Sequence, residues 1–133
     1  MTLSAADRIE ITDLIARHGH LMDAGELDRM DELFTDGIIY ELSDFGLGEL
    51  RGIPALRDAA IALGAGNPVG HHITNIIIAD ADGDSVRVQS KGIGIHADGT
   101  CRSVVYDDMV VRAAVGWRIS YRKVSARRAA LGA

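Results

Sequence analysis

The chain has 133 residues, 19 of them acidic and 14 basic, and a net charge of -5. That length fits one domain with one core, and the negative charge argues against nucleic acid and anionic membrane surfaces as partners. A single Cys101, no apolar run near the roughly 20 residues that span a bilayer, and a start without a secretion signal predict one cytoplasmic domain over residues 1–133.

Two helices are predicted before any strand. Ser4-Ala5-Ala6-Asp7 has the form of a capping box. Apolar residues then recur at spacings of three and four, which predicts a first helix from Ala5 to Ala24. Gly25 interrupts it, and the same spacing over Leu27 to Phe34 predicts a shorter helix that stops near Asp36-Gly37.

A strand and a third helix come next. Alternation in Ile38-Ile39-Tyr40-Glu41-Leu42 places the Tyr40 phenol on the inner face of this strand and Glu41 toward solvent. Residues 43–52 are expected to form a glycine-containing loop. Gly52-Ile53-Pro54 then begins a third helix with proline in its first turn, and this helix ends at Gly64.

Four antiparallel strands are predicted for the rest of the chain. Runs of Val, Ile, Tyr and Thr flank three hairpin-like junctions, at Asp82-Gly83, Asp98-Gly99 and Ala113 to Gly116. The order helix, helix, strand, helix and four-stranded meander predicts an α+β domain whose curved sheet wraps around the helices. Residues 125–133 are expected to form a frayed tail.

Several short motifs, taken in order, resemble one family. They are Asp23 at the end of the first helix, Asp28 to Phe34 before a strand, Gly52-Ile53-Pro54-Ala55-Leu56, His71 four residues before Asn75, Tyr106-x-Asp108, Arg112, and Gly116-Trp117-Arg118-Ile119. Over nearly its whole length the chain resembles the nuclear transport factor 2-like superfamily. Within that superfamily it is similar to the SnoaL-like branch, near scytalone dehydratase and hexachlorocyclohexane dehydrochlorinase.

The resemblance implies both a fold and a chemistry. The fold is a cystatin-like α+β roll, in which a cone-shaped, curved mixed β-sheet wraps around three N-terminal helices and encloses a deep apolar pocket. Many members use an Asp/His pair in that pocket for acid-base chemistry without metal or organic cofactor. The pair corresponds to Asp23 and His71, and Tyr40 matches a tyrosine that polarises a substrate carbonyl.

These residue types suit such a reaction. A histidine exchanges its proton near neutral pH, a carboxylate can fix its tautomer, and a protonated tyrosine can donate to an oxygen that gains negative charge. Each also has an ordinary interpretation. His71 could be a core histidine bonded to a carbonyl, Asp23 a turn-capping residue at the rim of the apolar face, and Tyr40 an inward aromatic tied to the backbone.

Further candidates are expected to line the pocket. Alternation from His71 puts Ile73 and Asn75 on its face of the strand and His72 on the other. His18 lies on the apolar stripe of the first helix, at the position of a lysine in the dehydrochlorinase. The complete set of expected substrate-binding residues is His18, Met22, Ile73, Asn75 and His96.

No metal site is predicted. His18 and His20 point about 200° apart on a helix, and His71 and His72 face opposite sides of a strand. Arg112 and Arg122 are interpreted as charges on the sheet surface, with a place for one of them in the pocket or in an oligomer contact as the alternative. Trp117 is interpreted as a core or interface residue.

We therefore expect a cofactor-independent lyase of the dehydratase type, or an isomerase, acting on a small hydrophobic, cyclic substrate that carries a carbonyl. A non-catalytic small-molecule binding protein of the same fold, a polyketide cyclase and an epoxide hydrolase are the alternatives. The final two strands carry exposed apolar residues, so a homodimer or homotrimer is expected.

Overall fold

The computed structural model describes residues 2–132, apart from the side chains of residues 80 and 82. The elements in chain order are α1 (Ala5–Asp23), a 3₁₀ helix (Leu27–Glu32), β1 (Phe34–Leu42), β2 (Gly48–Arg51), α2 (Ile53–Leu63), β3 (Gly70–Asp82), β4 (Ser85–Ile95), β5 (Cys101–Ala113) and β6 (Gly116–Arg127). Short 3₁₀ turns occupy Ser43–Phe45, Gly64–Gly66 and Ala130–Gly132. None of the described helices is long and apolar enough to cross a membrane.

The predicted capping box begins α1. Ser4 Oγ accepts the Asp7 backbone N–H at 3.0 Å, and Asp7 Oδ2 accepts the Ser4 backbone N–H at 3.0 Å. These two bonds satisfy donors that a helix N-terminus otherwise leaves unpaired. The buried face of α1 carries Ile11, Leu14, Ile15, His18, Gly19 and Leu21, so the predicted apolar stripe is the face that packs on the sheet.

One six-stranded mixed sheet runs in the order β2-β1-β6-β5-β4-β3. The predicted meander from β3 to β6 is antiparallel throughout, whereas β1 pairs with β6 in parallel. The three predicted hairpin junctions lie between these strands. The predicted α+β roll, with a curved mixed sheet and three helices, is confirmed.

Three segments differ from the prediction. The second helix is a 3₁₀ helix that ends at Glu32, and β1 begins at Phe34, before the predicted helix end near Asp36-Gly37. Residues 48–51, expected to be loop, form β2 and pair with β1, with Leu50 opposite Tyr40. β6 continues to Arg127, so the predicted frayed tail is wrong for residues 125–127. The reason is a contact with the turn after β1, because the Ala126 backbone N–H donates to Asp44 Oδ2 at 3.0 Å.

A close approach between α1 and β3 fixes the geometry of the site. A Cβ placed on Gly19 would lie 2.5 Å from the backbone oxygen of His71. Only glycine allows that approach, even though glycine weakens a helix interior by about 1 kcal/mol relative to alanine. Gly19 therefore sets how near the end of α1 comes to the start of β3.

Candidate functional site

A cavity of about 870 Å³ lies between the helices and the inner face of the sheet. Most of its wall is apolar, with side chains such as Leu27, Phe34, Leu56 and Val124. Exposed Phe45, Leu47 and Leu63 also border it. The aromatic and histidine side chains with polar atoms on the wall are His18, Tyr40, His71, His96 and Tyr106. A cavity of this kind suits a hydrophobic molecule that is oriented by a few polar contacts.

Asp23 contacts His71, which lines this cavity, as the family resemblance implies. His71 Nδ1 lies 2.7 Å from Asp23 Oδ1, and the His71 backbone N–H donates to both carboxylate oxygens at 2.9 and 3.0 Å. When Asp23 is ionised it can only accept, so Nδ1 is the donor, and in a neutral imidazole the lone pair is then on Nε2. The pair therefore has the geometry of a base and its orienting group. Its role in catalysis remains a prediction.

A bulge in β3 begins after Thr74, between His71 and its predicted neighbour Asn75. Pairing with β4 is regular up to Thr74 and shifts before Ile77, and Asn75 between them is exposed with φ of 54°. Ile73 packs against the core instead of lining the cavity. Contrary to the expectation, neither Ile73 nor Asn75 lines the cavity. Ile73 lies before the bulge, on the face of His71 that approaches Gly19 of α1, whereas Asn75 lies within the bulge, where an extra residue breaks strict alternation.

His18 is almost fully buried, at 4% exposure, and its ring borders the cavity. Its ring centroid lies 5.7 Å from that of His71 and 5.9 Å from that of Tyr106. Burial lowers its pKa well below the usual value, and the charge of Arg122 adds to this effect. The imidazole is therefore neutral at neutral pH. Its Nδ1 has no hydrogen-bond partner in the described part of the chain.

Two tyrosines form part of the cavity wall. Tyr40 lies on β1, and burial raises the pKa of its phenol despite the opposing charge of Arg122. Tyr106 on β5 is 4% exposed, and burial raises the pKa of its phenol too. Both remain protonated donors at neutral pH. The Tyr106 ring fits because residue 92 is glycine, whose missing Cβ would lie 2.5 Å from Tyr106 Cε2.

A buried ion pair lies beside these tyrosines. Arg122 Nε and Nη2 donate to the two oxygens of Asp108 at 2.7 and 2.8 Å, and both side chains are fully buried. Burial raises the pKa of Asp108. Burial also disfavours the charged form of Arg122, but the nearby Asp108 carboxylate favours that form more strongly, so the pKa of Arg122 is raised. We take the pair as ionised, because a carboxylate best accepts two bonds in this bidentate geometry.

The predicted surface position of Arg122 is thus wrong, and a second bulge is the reason. The pairing of β5 with β6 shifts between Met109 and Val110, so that Ser120 is an extra residue between Ile119 and Tyr121. The alternation of β6 reverses there, and Arg122 faces inward. Arg112 is on the surface, as expected, with its side chain 40% exposed, and its guanidinium covers the ring of the buried Trp117 at 4.4 Å.

Comparison with known proteins identifies the family. The model of the SnoaL-like domain matches residues 4–123. The chain belongs to the SnoaL-like family. The predicted resemblance is therefore confirmed, whereas no curated protein matches the sequence.

Solved structures support the fold of this SnoaL-like domain. An NTF2-like protein with a cystatin-like fold from Novosphingobium aromaticivorans is 25% identical, with 96% of this chain and 86% of that one covered and a TM-score of 0.76. A proposed scytalone dehydratase from the same organism is 17% identical, with 92% and 85% covered and a TM-score of 0.77. LinA is 22% identical, with 92% and 87% covered and a TM-score of 0.77.

The two remaining predicted pocket residues of this SnoaL-like domain line the cavity. Met22 lines it beside the end of α1, and His96 lines it directly after β4. Sequence reasoning missed Tyr106 and Asp108 as members of this region, although it noted both as part of a motif. Within residues 2–132, leaving aside side chains 80 and 82, no group of three or more His, Cys, Asp or Glu is arranged to hold a metal ion.

Proposed function

We propose that this SnoaL-like protein is a cofactor-independent enzyme that removes a proton next to a carbonyl, or next to a leaving group, of a small hydrophobic, cyclic molecule. The reaction would be an elimination or an isomerisation. The observation that carries the proposal is the hydrogen bond between Asp23 and His71, together with the place of His71 on the wall of an apolar cavity.

The proposed steps follow from the donors and acceptors on that wall. His71 Nε2 takes the proton, and the electron pair of the broken C–H bond moves toward the carbonyl to give an enolate. Asp23 stabilises the imidazolium, and the Tyr40 hydroxyl donates to the enolate oxygen. The proton then returns at another carbon, or the leaving group departs with the electron pair. A positioned base contributes about 10²- to 10⁴-fold, and a preorganised donor about 10²- to 10³-fold.

One alternative reaction is less well supported by the geometry. Epoxide hydrolysis would need a carboxylate and an arginine that hold a water at the ligand. Asp108 and Arg122 are the buried pair of this type, but both Asp108 oxygens accept from Arg122 and neither side chain is exposed. Asp23 is likewise occupied by His71.

Proton abstraction can be tested without knowing the natural substrate. The bicyclic ketone 2-tetralone has acidic hydrogens next to its carbonyl, and their replacement by deuterium in D₂O is followed by NMR. We expect the protein to accelerate this exchange, and both His71→Ala and Asp23→Asn to lower the acceleration by about 10²-fold or more. His72→Ala is the matched control, because this neighbouring histidine is exposed.

Circular dichroism and thermal melting establish that each variant is folded. Exchange at the buffer rate with wild-type protein, under conditions in which the ketone binds, would indicate a binding protein instead of an enzyme. Unchanged exchange in a folded His71→Ala variant would remove His71 as the base.

A further inference from the structure

One basic side chain on the cavity wall has no part in the proposed reaction. Arg102 lies near the start of β5 and lines the cavity. In the described part of the chain, no Asp or Glu lines this cavity, and Arg102 is the one Lys or Arg that does. An arginine keeps its charge at any ordinary pH. The cavity wall therefore carries a positive charge without an acidic neighbour on that wall, in a protein whose net charge is -5.

The guanidinium of Arg102 is also free of partners. It forms no ion pair with any residue that the structure describes. The acidic residue nearest to it along the chain, Asp98, is bonded within its own turn, where Oδ1 accepts the Thr100 backbone N–H at 3.0 Å and the Thr100 hydroxyl at 2.7 Å. The five N–H donors of Arg102 are thus available to a ligand.

Arg102 lies in the same row of the sheet as the proposed base. His71 on β3 pairs with Gly94 on β4, and Gly94 pairs with Arg102 on β5. Neighbouring strands are about 4.8 Å apart, so the backbone positions of His71 and Arg102 are about 10 Å apart. Both residues line the cavity, and Gly94 places no side chain between them. A molecule of one or two rings can therefore contact the imidazole and the guanidinium together.

The inner face of β5 becomes more buried with distance from Arg102. Arg102 itself is exposed, Val104 is half-buried and Tyr106 is buried, and all three line the cavity. The cavity is thus open to solvent at Arg102. A carboxylate bound there keeps part of its hydration, whereas the same group deeper in the cavity would lose it at a large cost in free energy. This arrangement suits a ligand with an apolar ring and one acidic group at its edge.

We propose that Arg102 binds a carboxylate at the solvent-facing end of the cavity, and that the ligand is a hydrophobic cyclic acid whose ring lies between Arg102 and His71. The planar guanidinium can donate two parallel hydrogen bonds to such a group. Arg102 is then a specificity-determining residue. The inference deepens the proposed function by naming the class of substrate, and it rests on that function for the reaction but not for the binding.

Two probes of matched shape test the carboxylate site. They are 2-naphthoate and its uncharged amide, 2-naphthamide, and neither has a hydrogen next to a ketone, so no turnover intervenes. Titration calorimetry should show that the wild-type protein binds the acid more tightly than the amide. Arg102→Gln should lower the affinity for 2-naphthoate by about fivefold, the upper range for a solvent-accessible ion pair, and leave that for 2-naphthamide unchanged. Equal loss of affinity for both probes, or no loss for the acid, would overturn the proposal.

A second arginine provides the matched control. Arg87 on β4 is exposed between the buried Val86 and Val88, so it lies on the opposite face of the sheet. Arg87→Gln removes the same charge and should not change the affinity for 2-naphthoate. An equal loss in both variants would indicate an effect of net charge and contradict a site at Arg102. Circular dichroism establishes that the variants are folded.

The other cation that could hold the acid is His96, which also lines the cavity. A loss of acid preference in His96→Gln, with none in Arg102→Gln, would overturn the assignment to Arg102. Acid preference without deuterium exchange of 2-tetralone would support the carboxylate site and remove the reaction. Exchange without acid preference would remove the carboxylate site and support the reaction, so the two proposals fail separately.

Discussion

Burial of neutral His18 makes the stability of the protein depend on pH. In the unfolded chain His18 takes up a proton near its usual pKa of 6.5, whereas burial keeps it unprotonated in the fold. Below pH 6.5 the unfolded state thus binds more protons, so the free energy of unfolding falls as pH falls. Above pH 6.5 the free energy of unfolding is not reduced by this effect. A difference of one bound proton corresponds to about 1.4 kcal/mol per pH unit, so the loss between pH 6.5 and pH 5 is at most about 2 kcal/mol.

Urea unfolding at a series of pH values between 5 and 7.5 measures this loss. His18→Leu should remove this pH dependence, at most about 2 kcal/mol over that interval, apart from a constant offset caused by the substitution itself. His20→Leu is the matched control, because His20 is exposed and shares the helix. An identical pH dependence in wild type and His18→Leu would refute the neutral, buried state of this imidazole.

Two substitutions test the packing that supports the site. Gly19→Ala should destabilise the fold and lower deuterium exchange together, because the new methyl would lie 2.5 Å from the His71 backbone oxygen. Gly37→Ala, where no atom lies within 4 Å of the added Cβ, should change neither stability nor exchange. If Gly19→Ala and Gly37→Ala lowered the melting temperature equally, this explanation would be contradicted. Trp117→Ala should cost about 3–5 kcal/mol in urea unfolding, because this side chain is 1% exposed, and a loss below 1 kcal/mol would contradict its place in the core.

Local patterns predicted most of the elements. The capping box at Ser4, the three-four spacing after it and the hairpin junctions from Asp82 onward each depend on residues within one element or turn. The contact of Asp23 with His71, 48 positions apart, came from the family resemblance, since helix periodicity alone placed Asp23 only at the rim of the apolar face.

Strict alternation could not predict the two bulges. One extra residue in β3 turns Asn75 outward, and one extra residue in β6, Ser120, brings Arg122 inward. The prediction for Asn75 used a strict period of two, which a single inserted residue reverses, whereas Arg122 was placed on the surface only because it is charged. Neither bulge is marked by Gly or Pro. The short β2 was missed because its two apolar or small positions, Gly48 and Leu50, give too little alternation to recognise.

The central claim is that one imidazole, on one side of a bound ketone, moves the proton. The most direct test is the stereochemistry of deuterium incorporation into 2-tetralone, read by NMR before the second hydrogen exchanges. If a single base acts on one face, the wild-type protein should selectively replace one of the two hydrogens on a carbon next to the carbonyl. His71→Ala should lose this selectivity. Random incorporation at the buffer rate in both proteins would contradict the account.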